Sequence, residues 1–175
     1  MIGNRRSLLA RPRALAVAVL LLLPCLAPDV AAQWTEPRGT FRAYWNVTGT
    51  VHLLDFDGGT VAAGSHQGTV VLNTSQGTVP AFETDCVAFR DDRTGGLGRC
   101  VWKGPLGDLV YVEIESSGPA GFGRARGRFV KGTGEYEGIQ GGFSFEWNYS
   151  VSRGRDATFD GHTLEMTGNY NLPSR

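Results

Sequence analysis

The sequence predicts an all-β domain, an antiparallel barrel of about eight strands, with a two-sheet β-sandwich as the alternative. Three observations carry this. No segment beyond residue 32 has both the period and the length of a helix. Apolar and polar residues alternate there in short runs broken by turn signals. Glycine supplies 24 of the 143 residues from Gln33 to Arg175, enough for both tight turns and sharply coiled strands, which barrels need where they bend.

Residues 1–32 read as a cleavable signal peptide. Arg5, Arg6, Arg11 and Arg13 form a positive head, Ala14 to Leu23 is an unbroken apolar run, and Val30-Ala31-Ala32 is a small-residue cleavage site before Gln33. A membrane-spanning helix needs about 20 apolar residues, and this run is shorter and followed by Pro24 and Pro28. The mature chain is therefore expected to have no transmembrane segment and to be periplasmic or secreted. Cys25 suits lipid acylation poorly, because Pro24 precedes it. Arg5-Arg6 before Ser7-Leu8-Leu9 resembles a twin-arginine signal, but the ordinary secretory route fits the whole segment better.

Without the signal the chain has 13 basic and 16 acidic residues. That balance argues against nucleic acid as a partner, since backbone binding needs surplus positive charge. The remaining length, residues 33–175, suits a single domain with one core.

The strands follow in order. Trp45 to Leu54 sets Trp45, Val47, Val51 and Leu53 on one face. Gly68 to Asn73, Val79 to Arg90 and Gly98 to Lys103 come next. In Leu109 to Glu115, Val110, Val112 and Ile114 face opposite Tyr111, Glu113 and Glu115. Arg124 to Lys131 follows, then Phe143 to Val151, whose Phe143, Phe145, Trp147, Tyr149 and Val151 alternate with polar residues. His162 to Tyr170 is the last. The turn signals between them are Asp57-Gly58-Gly59, Ser75-Gln76-Gly77, Gly104-Pro105, Ser117-Gly118-Pro119, Gly132-Thr133-Gly134 and Asp160-Gly161. Gly-Thr-Val recurs at Gly49, Gly59, Gly68 and Gly77, a spacing that suits turns handing over to strands.

Two cysteines, Cys86 and Cys100, remain in a compartment where disulfides persist. A turn within Asp91 to Gly96 makes antiparallel partners sum to about 186, which sets Cys86 opposite Cys100 and Thr84 opposite Trp102. A disulfide between them is expected. Catalytic thiol chemistry is not, because there is no C-x-x-C spacing and no histidine near either cysteine in sequence.

The segment Phe129-Val130-Lys131-Gly132-Thr133-Gly134-Glu135-Tyr136-Glu137-Gly138-Ile139-Gln140-Gly141-Gly142 resembles the late strand-turn-strand region of calycin-like barrels of the allene oxide cyclase and dirigent type. It is also similar to short exported bacterial barrel proteins of unknown function. The shared features are a Gly-x-Gly turn, an aromatic two residues later and a glycine before the next strand. They cover about 20 residues and constrain backbone shape, so the resemblance implies a barrel and transfers no catalytic residue.

Motifs for chemistry are missing from the sequence: no G-x-S-x-G elbow, no H-E-x-x-H, no P-loop and no dinucleotide fingerprint. His52, His66 and His162 are widely separated, and Asp55-Phe56-Asp57-Gly58-Gly59 lacks the later ligands of a calcium loop. No metal or cofactor is expected. Arg124, Arg126 and Arg128 share one strand face, read as a solvated outer surface balanced by outward carboxylates. Asn46-Val47-Thr48, Asn73-Thr74-Ser75 and Asn148-Tyr149-Ser150 are glycosylation sequons, relevant in a eukaryote. Tyr111, Glu113, Glu146 and Trp147 are candidates for a ligand pocket if their faces turn inward. Trp147 is expected in the packed core, or else in the wall of a cavity.

Three functional classes follow: a barrel binding a small apolar or amphipathic molecule, a cyclase or isomerase such as the resemblance implies, and a non-catalytic secreted interaction protein. Interior packing separates them, because an eight-stranded barrel is either filled by side chains or holds one small ligand.

Overall fold

The computed structural model describes residues 36–117, 122–152 and 155–173. The expected signal peptide, with Cys25, lies outside these residues, as does most of the predicted Ser117-Gly118-Pro119 turn. Eight strands close into one barrel in chain order: β1 (Arg38–Phe56), β2 (Gly59–Thr74), β3 (Gly77–Asp91), β4 (Gly95–Lys103), β5 (Leu109–Ser117), β6 (Phe122–Gly132), β7 (Gln140–Val151) and β8 (Asp156–Asn171). All neighbours are antiparallel, and β8 returns to pair with β1, so no sheet edge is left open. Each predicted strand is present. Several are longer than their alternation suggests, because glycines inside them do not end them.

Two turn assignments are corrected on that ground. Asp160-Gly161 is not a turn: it lies within β8, with Gly161 opposite Tyr149 on one side and Val47 on the other. A Cβ on Gly161 would come within 2.9 Å of the Tyr149 Cβ, so glycine is there to admit a neighbouring side chain. Gly49 and Gly68 likewise sit inside β1 and β2, whereas Gly59 and Gly77 do open strands as the repeated triplet suggests. At the β1–β2 hairpin the expected turn holds. Asp57 and Gly58 both have positive φ, 46° and 76°, the pattern of a type I′ two-residue loop.

Strand alternation divides the residues cleanly. Odd positions of β1 from Phe41 to Leu53 face inward, while Arg42, Tyr44, Asn46 and Thr48 face solvent. In one half of the barrel the inward residues are large. Phe41, Leu72, Phe82, Trp102, Phe129 and Phe143 are all buried, and the Trp102 and Phe143 rings lie 5.2 Å apart. Each such side chain stabilises the fold by about 1.5–3 kcal/mol. This end is closed by a 3₁₀ turn, Gly134–Tyr136, whose buried Tyr136 ring packs 5.4 Å from Phe82. Burial, reinforced by nearby Glu135 and Asp108, pushes the Tyr136 hydroxyl pKa well up, so it stays protonated.

The β3–β4 register pairs Thr84 with Trp102 and Cys86 with Cys100, and the two sulfurs form a disulfide. Among the described residues no helix is long and apolar enough to cross a membrane.

Candidate functional site: a cavity in the open half of the barrel

The other half of the barrel is hollow, and the cause is side-chain volume. Where the packed half has Phe, Leu and Trp, several inward positions here are small: Ala62 and Gly64 of β2, Ala88 of β3, Gly98 of β4, Ala125 of β6 and Gly161 of β8. The backbone of an eight-stranded barrel keeps its diameter along its length. Small side chains therefore leave space, here a cavity of about 350 Å³ with a predominantly apolar lining.

Its floor is Trp45. The β1–β8 register shifts between Ala43 and Asn46, and at this irregularity the Trp45 backbone N–H donates to Thr163 Oγ1 at 2.9 Å. The indole Nε1–H donates to Thr84 Oγ1 at 3.0 Å. Both N–H donors of this buried residue are thus satisfied. Its ring meets Phe145 at 5.8 Å and Trp102 at 6.0 Å, which ties the floor to the packed core. Cys100, joined to Cys86, completes this level.

Aromatic rings form one wall. Trp147 stacks on Tyr149 with centroids 4.7 Å apart and planes 10° from parallel, and Tyr149 meets Phe159 at 5.5 Å. His66 sits between Trp45 and Phe159, 5.7 Å and 5.8 Å away. Burial pulls its pKa down to about 4, with Asp85 opposing the shift, so the imidazole is neutral near pH 7. Together with Cys86 and Cys100 it forms a compact trio of potential metal ligands. The sulfurs are bonded to each other, which leaves the imidazole as the one available donor of the three.

Arg90 is a charged group of the cavity wall, as is Asp92 beside it. Arg90 projects inward from the end of β3 and is 8% exposed. Its guanidinium carbon lies 5.3 Å from the centroid of the Trp147 ring. Nε and Nη2 donate to Asp92 Oδ1, both at 3.4 Å, which is long for a charge-assisted bond. Nη1 is buried and has no hydrogen-bond partner among the described residues.

Of the four residues expected at a ligand pocket, Trp147 lines the cavity. Tyr111, Glu113 and Glu146 do not, because strand alternation turns them outward, away from the inward face of Val110, Val112 and Phe145. On that outer surface Glu113 pairs with Arg128 and, at 3.2 Å, with Arg99, and Glu146 accepts from Arg124 Nε at 2.9 Å. Two members of the arginine stripe are thus balanced by outward carboxylates. The Asp55 to Gly59 segment is a hairpin in which Asp57 pairs with Arg93 at 3.1 Å. His52 contacts Asp156 at 2.6 Å on the surface, and His162 is exposed.

Sequence reasoning misses Arg90, His66 and the hollow itself. Arg90 is legible as an inward residue from its parity with Cys86 and Ala88 on one strand. The hollow is written in the run of alanines and glycines at inward positions, which as isolated residues look like turn and coiling positions. Compared with known proteins, the chain matches no family model, no curated protein and no solved structure.

Proposed function

We propose that this chain is an exported binding protein whose open half-barrel holds one compact apolar or amphipathic molecule. The observation that supports this most is the cavity of about 350 Å³, lined by aromatic and aliphatic side chains with few polar groups among them. Ligand sites have this composition, and this volume falls at the small end of their usual range of about 300–1,000 Å³. The braced floor at Trp45 favours a preformed site, which lowers the ordering cost of binding.

Export rests on the amino-terminal sequence pattern, and the disulfide suits that compartment. The resemblance of residues 129–142 to calycin-like barrels of the allene oxide cyclase and dirigent type supports the same architecture. A cyclase or isomerase would use this cavity to confine a reactive intermediate, with Arg90 and neutral His66 as its polar groups.

Native mass spectrometry of protein purified from its own source tests the proposal. A mass increment from one small molecule, lost on denaturation, is expected. Incubation of that molecule with the protein then separates the classes, since a binding protein returns it unchanged and an isomerase converts it. Protein that is uniformly ligand-free and takes up no apolar compound would refute the binding reading.

A further inference from the structure

We propose that Arg90 selects the cavity's ligand, its guanidinium Nη1 donating to the oxygen of a carboxylate head group. This rests on the reading of the cavity as a binding site and names the chemical class of its occupant: an amphipathic monocarboxylic acid with a compact hydrocarbon body.

An arginine whose side chain is about nine-tenths buried loses most of its hydration and stays charged, because its pKa is too high for it to neutralise. Such a group is retained where hydrogen bonds to its head compensate, and Asp92 compensates on one edge alone, through two long contacts to a single oxygen. Asp92 is itself 31% exposed at its side chain, so its charge is partly screened by water. The Nη1 end carries two N–H donors and has no partner among the described residues. Trp147 covers the guanidinium face at 5.3 Å; because Nη1 has almost no accessible surface, a head group engages it with a small shift of the guanidinium off its long Asp92 contacts.

The remaining polar groups of the wall do not compete for the Nη1 end. His66 is neutral near pH 7, Thr60, Ser116, Asn148 and Thr163 are uncharged, and His162 is exposed to solvent. Asp92 is the one carboxylate lining the cavity among the described residues. Arg90 and Asp92 are together formally neutral, so a carboxylate head adds one net negative charge and a dianionic phosphate two; the single charge carries the smaller cost in an apolar surround. Guanidinium and carboxylate also match in geometry. The hydrocarbon body then runs over Trp147 and Ala88 toward the Trp45 floor.

The test uses the mature protein, with decanoate and 1-decanol as matched anionic and neutral probes. Their affinities are measured at pH 7.5 by displacement of the neutral dye N-phenyl-1-naphthylamine. Wild type should bind decanoate at least tenfold more tightly than 1-decanol. Arg90→Met, which keeps the apolar stem, should bring the ratio of decanoate to 1-decanol affinity to near one. Arg90→Lys should retain part of the preference. If wild type binds both probes equally, Arg90 is not the anchor although the cavity binds, and a folded Arg90→Met protein that keeps the preference would overturn the proposal in the same way. If neither probe nor dye binds, the binding reading itself fails. The wild-type comparison stands even if Arg90→Met proves unstable.

Discussion

Truncation of Trp147 distinguishes a packed barrel from a half-hollow one. In a fully packed core, Trp→Ala costs about 3–5 kcal/mol through lost transfer energy and the void left behind. Here one side of the ring already faces the cavity, so truncation enlarges an existing space and encloses no new one. What is lost is identifiable. The Tyr149 stack at 4.7 Å contributes about 0.5–1.5 kcal/mol, and the Arg90 contact at 5.3 Å about 0.5–2 kcal/mol. The ring also covers Gly123, at whose α-carbon any side chain would collide with it. We therefore expect Trp147→Ala to cost about 2 kcal/mol, and Phe143→Ala, on the same face of β7 but in the packed half, the full 3–5 kcal/mol or so. Glu146→Ala and Asn148→Ala, whose side chains point outward, should each shift stability by less than about 0.5 kcal/mol. Urea melts of the four variants with unchanged m-values measure this series. Trp147→Ala as costly as Phe143→Ala would show that the open half is packed and would refute the cavity. Trp147→Ala as stable as wild type would show that the stack and the arginine contact contribute nothing.

The disulfide and the buried histidine give two more expectations. Replacing Cys86 and Cys100 together by alanine opens a loop of about 15 residues and should cost roughly 3 kcal/mol on the chain-entropy relation; thiol labelling of the unreduced, denatured wild type should find neither cysteine. The His66 imidazole takes a proton near 6.5 when unfolded and near 4 when folded, so between those values the unfolded chain binds more protons and stability falls as pH drops through that window. The loss should be of order 3 kcal/mol by pH 4, and His66→Gln should remove that part of the pH dependence in thermal melts.

The strands and the barrel class are legible in the sequence, because alternation has only two faces and turn residues have few uses. The Cys86–Cys100 pairing follows from the position of one turn, and β7 is legible from Phe143 to Val151. Glycine is the ambiguous residue. Asp57-Gly58 turns the chain, whereas Gly161 and Gly68 admit neighbouring atoms inside strands, and nothing local in the sequence separates those uses. The site is less legible. Trp147 is identified, yet Tyr111, Glu113 and Glu146 join it only through chemical type, although their parity places them on the outer face. Arg90 does not stand out because a lone arginine near a strand end ordinarily points to water. Its burial is a consequence of barrel closure, which brings Trp147 of β7 across to β3.

Filling the cavity while leaving the core undisturbed bears on the hollow half of the barrel without intermediaries. Ala88 is an inward, cavity-lining residue of β3, so Ala88→Phe puts a ring into the open space. N-phenyl-1-naphthylamine titrated into wild type should show saturable one-to-one binding. The Ala88→Phe protein should melt at or above the wild-type temperature and bind the dye at least tenfold more weakly. Equal binding by a folded Ala88→Phe variant, or no saturable binding by wild type, would contradict a ligand cavity in the open half of the barrel.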